Sequence, residues 1–183
     1  MRIAIVGNGS SLLKLRKGQE IDDHDIVIRM NLYYRLIDKD ITGVKTDVWS
    51  CCFDVNDKNH PNTTAKIWCA RPLDWKAGNW HIQDTFRNRI DEEMYDYEEA
   101  RCMIRANKGL SPTTGFNTLW MANRIYKDAE KDLYGYDFYE PNLFYYHPQH
   151  EVDFHVTQHH SPSVEKEIIK NWEKEGKCRL IYQ

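Results

Sequence analysis

The sequence contains no apolar run long enough to cross a membrane, and residues 1–7 are too short for the core of a signal peptide. Its five cysteines are odd in number and include no Cys-x-x-Cys pair, which disfavours a disulfide scaffold and a four-cysteine zinc site. A formal net charge of −3 gives no indication of a nucleic-acid or membrane-surface binder. We therefore expect reduced thiols, no membrane anchor and a cytoplasmic location.

The composition is that of one globular domain. At 183 residues the chain is long enough to bury a single sizeable core. Hydrophobic residues make up 41% of the chain, and the presence of 11 Tyr, 6 Trp and 6 Phe excludes a disordered polypeptide. No internal repeat, low-complexity tract or domain boundary interrupts the sequence, so we predict a single domain over residues 1–183.

Short apolar runs alternate with segments of helical pattern along the chain. Strands are predicted over residues 2–6, 25–30, 46–52, 65–69, 101–105, 131–134 and 178–182. One helix is predicted to start at residues 12–15, and others are predicted over 81–97, 115–126 and 161–174. Residues 139–160 are rich in Pro, His and aromatics without a clear period, which indicates a loop or lid. The alternation predicts an α/β fold, a Rossmann-like domain with a central, mainly parallel sheet flanked by helices.

The first candidate ligand segment is the turn Gly7-Asn8-Gly9, which joins the first strand to the first helix. Glycine lets the backbone approach a ligand closely, and amides at a helix start favour a phosphate. The dinucleotide fingerprint is excluded because Leu12 occupies its last glycine position, and the lysine of a P-loop is missing. A plain strand-to-helix connection is the alternative interpretation.

The second segment is an acidic loop that leads into the second strand. That strand carries Arg29 and ends at Asn31, at the edge where ligands of open α/β sheets bind. The alternative is a solvated acidic turn followed by an asparagine at a strand end.

Two further segments place polar groups at element ends. Thr113 and Thr114 lie directly before the helix predicted to begin at Gly115, where hydroxyls cap amides or, in the alternative, hold a phosphate or ribose. Asp137 and Tyr139 follow the strand over 131–134, where a carboxylate and a phenol can face a nucleotide.

The last segment runs from His160 to Glu165, where a loop meets the closing helix. A histidine can take a proton near neutral pH, as attack by a sugar hydroxyl requires. Five of the eight histidines lie between residues 147 and 160, at or just before this segment, namely His147, His150, His155, His159 and His160. Their spacing fits no zinc pattern, so we predict no metal site.

In this order, the segments resemble the sialylmotifs of glycosyltransferase family 29, the animal-type sialyltransferases. The large motif, GN(G/S) then ID..D.V.R.N then GxKT, is matched at residues 7–9, 21–31 and 43–46. The small motif is matched at 112–115 and 134–137, and the very small motif by His160 and Glu165. The similarity covers roughly residues 2–46, 111–139 and 160–165. The segment 135–139 (GYDFY) is also similar to the GxDFY element of the bacterial family 42 sialyltransferases.

The resemblance implies a sialyltransferase-type, GT-A-like fold and inverting transfer of sialic acid from CMP-sialic acid to a glycan hydroxyl, without a metal or other cofactor. The implied donor-binding residues are Gly7, Asn8, Gly9, Asn31, Thr113, Thr114, Gly115, Gly135 and Asp137. Asn8 and Asn31 would hold the cytidine monophosphate, the residues 113–115 its phosphate or ribose, and Gly135 and Asp137 its nucleoside. Tyr139 would hydrogen-bond the departing phosphate, and His160 would be the general base.

The chain departs from the family pattern in three places. The family cysteine before the first strand is replaced by Met1 or Arg2, so the disulfide between the large and small motifs cannot form. Residues 144–147 carry the aromatics of a fourth motif without its leading histidine, and the stretch between Asp137 and His160 is short. The acceptor, the linkage and the oligomeric state therefore stay open. Transfer of Kdo, another acidic sugar carried on CMP, and a catalytically silent nucleotide- or glycan-binding protein are the alternatives.

Overall fold

The computed structural model describes residues 1–35, 37–51, 64–69, 102, 105–106, 110, 112–138 and 160–182. The strands in these ranges are β1 (Arg2–Val6), β2 (Ile26–Met30), β3 (Val48–Cys51), β4 (Lys66–Cys69), β5 (Glu130–Tyr134) and β6 (Arg179–Leu180). The helices are α1 (Ser11–Leu15), α2 (Gly18–Asp22), α3 (Thr114–Ile125) and α4 (Pro162–Lys174), with a 3₁₀ helix at Tyr33–Arg35.

The described strands form one sheet in the order β4-β3-β2-β1-β5-β6, and every pairing in it is parallel. This confirms the predicted α/β fold with a central parallel sheet. The chain runs outward from β1 to β4 on one side and then places β5 and β6 on the other side of β1. The order therefore reverses between β1 and β5, and the crevice at the carboxyl ends of such strands is where ligands bind in open α/β sheets.

Helices cover both faces of the sheet. Alternate residues of β1 belong to different apolar clusters, because successive side chains of a strand point to opposite faces. Ile3 and Ile5 lie in the larger cluster with Phe116 of α3 and Ile169 of α4. On the other face, Ala4 and Val6 pack with side chains of the two short helices and the neighbouring strands, namely Leu12, Ile21, Val27 and Tyr134.

Aromatic contacts hold α3 against α4. The Phe116 and Trp172 rings stack with centroids 5.4 Å apart, and Trp120 meets Trp172 edge-on at 5.6 Å. Such pairs add stabilisation beyond the area that they bury. The two helices therefore pack as a pair over the larger apolar cluster, which fixes the position of their amino-terminal ends.

An ion cluster around a buried carboxylate joins β5, β6 and the segment after α2. The Asp132 carboxylate, only 3% exposed, accepts hydrogen bonds from Arg179 Nε at 2.8 Å and Nη2 at 2.6 Å. His24 Nε2 lies 3.1 Å from the same carboxylate. Burial disfavours the charged form of Asp132, but the hydrogen bonds from His24 and Arg179 outweigh it, so its pKa lies well below the usual range.

One predicted element is wrong, and another is correct only in part. Cys102, Arg105 and Ala106 are helical, whereas residues 101–105 were expected to form a strand; so short an apolar run does not distinguish the two structures. The expected acidic loop before β2 is present over residues 23–25, whereas Ile21 and Asp22 end α2, a five-residue helix too short to show a period and supported by a 2.8 Å ion pair between Lys17 and Glu20. The predicted helix over 81–97 and residues 139–159 of the predicted lid lie outside the described residues.

Candidate active site

The predicted motif segments meet at the carboxyl edge of the sheet. Gly7 follows β1, Asn31 follows β2 and Gly135 follows β5, while Thr114 begins α3 at the same edge. Since β1 and β5 flank the reversal of strand order, this edge is also the place that the topology favours for a ligand.

The turn after β1 is tied to the turn after β5. The Gly7 amide donates to Tyr134 O at 2.8 Å, and the Gly9 amide donates to Gly135 O at 3.1 Å. A Cβ atom added at Gly7 would lie 2.5 Å from Gly135 O, so only glycine allows the two turns to approach this closely. Gly135 itself has a φ of +67°, a conformation that glycine adopts without strain. The close approach that these glycines permit is thus between two segments of this chain.

Asp137 completes that connection. Its Oδ2 atom accepts the main-chain amide of Ser11 at 3.0 Å, in the first turn of α1. A Cβ atom added at Gly9 would clash with the same carboxylate. The amides of Gly7, Gly9 and Ser11 therefore all have acceptors within the protein, and the start of α1 is occupied by a carboxylate of the chain itself.

The two predicted asparagines lie at the ends of the first two strands. Asn8 donates its side-chain amide to Met30 O at 3.4 Å, and Asn31 donates Nδ2 to Thr114 Oγ1 at 3.2 Å. Asn31 has a φ of +47°, which asparagine tolerates better than most residues, and its carbonyl accepts Trp49 Nε1 at 2.7 Å. The structure thus brings residues of the large and small motifs into direct contact.

Thr113 caps α3, as the sequence predicted for this hydroxyl segment. Its Oγ1 atom accepts the Phe116 amide at 3.2 Å. No acceptor among the described residues takes the main-chain amides of Thr114 and Gly115. Within the described residues these amides are donors without an acceptor at the positive end of a 12-residue helix, the arrangement that binds phosphate in many proteins.

Glu165 connects α4 to this cap. Its carboxylate is only 3% exposed and accepts the Thr113 amide at 2.9 Å and the Thr113 hydroxyl at 2.5 Å. His160 is half-buried and lies directly before Ser161, the N-cap of α4, with Pro162 beginning the helix. The first turn of α4, and with it the segment that carries His160, is therefore attached to the amino-terminal end of α3.

Tyr136 also lies at this edge, although no role for it was predicted from the sequence. Its hydroxyl donates to Gly115 O at 2.9 Å, and its ring meets Phe138 edge-on at 6.3 Å. Lys166 of α4 lies over the Phe138 ring at 5.8 Å. Burial raises the pKa of Tyr136 well above its usual range, so the hydroxyl stays a donor at neutral pH. Its position in the sequence, an aromatic residue directly after the glycine that follows β5, could have indicated a place at the site.

Arg29 does not reach the ligand edge. It is buried on the face covered by α1 and α2, where it donates to Lys45 O at 2.8 Å and to Thr42 O at 2.7 Å. Asp22, 3.6 Å from Arg29, accepts the amides of Val44 and Lys45 at 2.8 Å and 2.9 Å. These large-motif residues hold the segment after β2 in place, which corrects the expectation that Arg29 would be delivered to a ligand.

Tyr139 and four of the five clustered histidines lie outside the described residues. In the part of the chain that the structure describes, no three His, Cys, Asp or Glu side chains form a group able to hold a metal ion. Within the same part, no helix is both long and apolar enough to cross a membrane.

The comparisons with known proteins confirm the resemblance that the motifs indicated. The model of glycosyltransferase family 29 (sialyltransferase) matches residues 1–52. The chain is 28% identical over 177 residues to the type 2 lactosamine alpha-2,3-sialyltransferase of Mus musculus, covering 79% of this chain and 54% of the mouse protein. The protein of that name from Rattus norvegicus is 26% identical over 202 residues, covering 93% of this chain and 61% of the rat protein.

Solved structures confirm the sialyltransferase fold. A mammalian sialyltransferase superposes with a TM-score of 0.69 at 20% identity, covering 99% of this chain and 68% of that one. The sialyltransferase CstII from Campylobacter jejuni, in complex with the substrate analogue CMP-3FNeuAc, gives a TM-score of 0.60 at 16% identity, covering 98% and 79%. The chain thus spans little more than half of the mouse relative's length and shares its fold with both animal and bacterial sialyltransferases.

Proposed function

We propose that the protein transfers sialic acid from CMP-sialic acid to a sugar hydroxyl with inversion at the anomeric carbon. The observation that carries the proposal is that the three motifs, far apart in sequence, are joined at one sheet edge. Thr114 is bonded to Asn31 of the large motif, and its neighbour Thr113 is bonded to Glu165 of the very small motif. The relatives and the CMP-3FNeuAc complex support the choice of donor.

The amino-terminal end of α3 is proposed to hold the phosphate of CMP. The amides of Thr114 and Gly115 supply hydrogen-bond donors and the positive end of the helix dipole. Asn31 lies against Thr114 and would position the nucleotide, with Asn8 and the turn containing Gly135 and Asp137 nearby.

His160 is proposed as the general base. In the transfer, the acceptor oxygen bonds to the anomeric carbon from the face opposite CMP, while the bond from that carbon to the phosphate oxygen breaks. The electron pair leaves on the phosphate of CMP, and the hydroxyl proton passes to His160. The amides of α3 would stabilise the charge developing on the phosphate, and Tyr139 would donate a hydrogen bond to it.

The proposal includes catalysis without a divalent metal. A CMP donor has one phosphate, whose charge the amides and the helix dipole can meet, whereas a nucleoside diphosphate has a second phosphate to neutralise. We also propose that the thiols are reduced and that the protein is located in the cytoplasm. Cys51, Cys102 and Cys178 are free thiols in the described structure.

The acceptor is proposed to end in a β-linked galactose. The mouse and rat relatives are named for type 2 lactosamine, and a mammalian sialyltransferase structure contains Gal-beta-1-3GalNAc-ortho-nitrophenol. That structure covers 99% of this chain at a TM-score of 0.66, although at 19% identity it shows the fold alone.

The test is CMP release from CMP-sialic acid in EDTA, with N-acetyllactosamine as acceptor and mass spectrometry of the product. We expect acceptor-dependent CMP release and a product heavier by one sialic acid. CMP-Kdo run in parallel separates the two donors, since faster release from CMP-Kdo would replace sialic acid by Kdo. CMP binding without any transfer would support a silent binding protein instead, and activity that appears only on adding manganese would contradict the metal-free mechanism.

A further inference from the structure

A groove lies between the carboxyl ends of α3 and α4. Its volume is about 480 Å³, and the residues that line it are Trp120, Asn123, Arg124, Lys127, Trp172 and Lys177. The candidate active site is at the opposite end of α3. Thr114 begins this helix of 12 residues, which at about 1.5 Å per residue is about 18 Å long. The groove is therefore separate from the site proposed for CMP.

The apolar part of the groove is built from two indole rings. Trp120 and Trp172 meet at an interplanar angle of 69° with centroids 5.6 Å apart, so their surfaces form a corner rather than a flat wall. Trp120, Asn123 and Arg124 recur at helical spacing and share one face of α3. Concave sites lined by aromatic residues with a few polar groups are typical of small-ligand binding. An indole face can stack on the apolar C–H face of a sugar ring.

The charged part of the groove is positive. Arg124, Lys127 and Lys177 line it, and none of the described residues that line it is acidic. Lys177 also pairs with Glu175 at 2.7 Å, on side chains that are about half exposed. Three cations around one cavity, in a chain whose formal net charge is −3, indicate a ligand with a carboxylate or sulfate group.

Asn123 provides an independent indication. Its side-chain Nδ2 and Oδ1 atoms are both buried, and neither has a hydrogen-bond partner in the structure as described. Unpaired buried polar atoms are uncommon and unfavourable. A sugar hydroxyl both donates and accepts, so adjacent hydroxyls of one ring could pair with both atoms once the side chain turns into the groove.

We propose that this groove binds an acidic oligosaccharide, a sugar chain that carries a carboxylate or sulfate, at a site distinct from the donor site. The indole corner takes the sugar ring, Asn123 pairs with its hydroxyls, and Lys127 meets the acidic group. The proposal needs no catalytic turnover, so it stands or falls independently of the proposed transferase activity.

The experiment is a titration of the full chain at saturating CMP. Binding is measured by calorimetry and by the NMR signals of the indole N–H groups of Trp120 and Trp172. The signals are assigned with Trp120→Phe and Trp172→Phe. The probes are sialyl-N-acetyllactosamine, neutral N-acetyllactosamine and sodium sulfate. We expect the acidic trisaccharide to shift both indole signals and to bind about tenfold or more tightly than the neutral disaccharide, because a charged hydrogen bond is lost with the latter.

Matched charge reversals locate the site. Lys127→Glu places a negative charge in the groove and should lower the affinity for the acidic trisaccharide by about tenfold or more. Lys170→Glu makes the same change on an exposed position of α4 that does not line the groove, and it should leave affinity unchanged. Thermal unfolding of both variants checks that each is folded.

Three results would overturn the proposal. Equal affinity for the neutral disaccharide would remove the role of charge. Unchanged affinity in Lys127→Glu would place the oligosaccharide elsewhere, or show that the chain itself covers the groove. A single-stranded oligonucleotide binding as tightly as the acidic trisaccharide would make the surface a general polyanion site.

Discussion

The carboxylate of Glu165 accepts both the amide and the hydroxyl of Thr113, at 2.9 Å and 2.5 Å, across 52 positions of sequence. Glu165 belongs to the first turn of α4, and Thr113 is the N-cap of α3. The pair therefore fixes the two helix ends relative to each other. Because His160 directly precedes the N-cap of α4, the pair also ties the segment that carries the proposed base to the start of α3.

Glu165→Gln tests this relationship with little change of volume. Glutamine has one acceptor oxygen where Glu165 uses two, so it cannot accept from both the amide and the hydroxyl of Thr113, and one hydrogen bond to a charged group is lost. We expect the free energy of unfolding to fall by about 1–3 kcal/mol. We also expect kcat to fall by about 10- to 100-fold with little change in donor KM, because a small displacement of the proposed base His160 is enough to slow the proton transfer. Urea unfolding and steady-state kinetics measure the two effects.

The control for Glu165 is its partner. Thr113→Ser retains the hydroxyl and should keep kcat near that of the parent. Thr113→Val should lower kcat as Glu165→Gln does, and it should lose more stability because it also removes the cap on the Phe116 amide. In the double variant Glu165→Gln/Thr113→Val the losses in kcat should not add, because both changes remove the same contact. Fully additive losses would show that the two residues act separately.

Asn31 combines a backbone role with a proposed donor-binding role. Asn31→Ala and Asn31→Gly both remove the amide that bonds Thr114, but only alanine is strained at a φ of +47°. We expect both variants to bind CMP about fivefold or more weakly. Only Asn31→Ala should carry an added backbone penalty of about 1 kcal/mol. Unchanged CMP affinity in both variants, measured by calorimetry, would show that Asn31 does not contribute to CMP binding.

Features that depend on residues near one another in the sequence could be predicted from it. Contacts between distant segments of the chain could not. The strand before Gly7 and the cap at Thr113 follow from local apolar runs and hydroxyls, and both were predicted correctly. The sequence did not show that Gly7 is needed for contact with the β5 turn, because that contact joins segments over 100 residues apart. Arg29 was misplaced for the same reason, since its partners Thr42 and Lys45 are brought to it by the fold.

The ion cluster around Asp132 predicts how stability depends on pH. Its pKa is lowered in the folded state, so its contribution is fully present above the unfolded-state pKa of about 4 and is lost as the pH falls below that value. Asp132→Asn should lower the free energy of unfolding at pH 7 by about 3 kcal/mol, since it removes a buried carboxylate that the buried His24 and the more exposed Arg179 both contact. The difference from the parent should shrink at about pH 3.

Asp128→Asn is the matched control for Asp132. Asp128 is exposed, so its loss should change stability by less than about 0.5 kcal/mol at either pH. Urea unfolding of the three proteins at both pH values measures the effect. A difference between the parent and Asp132→Asn that is the same at pH 7 and pH 3 would contradict the assigned role of the charge.

The most direct test of the proposed mechanism is the rate of CMP release from CMP-sialic acid by the parent, His160→Ala and His159→Ala. If His160 takes the acceptor proton, its replacement should lower turnover by about 100-fold or more while CMP affinity and thermal stability stay close to those of the parent. His159→Ala, which makes the same change at the neighbouring position, should retain turnover. Turnover that survives in His160→Ala and is abolished in His159→Ala would contradict the assignment of the base.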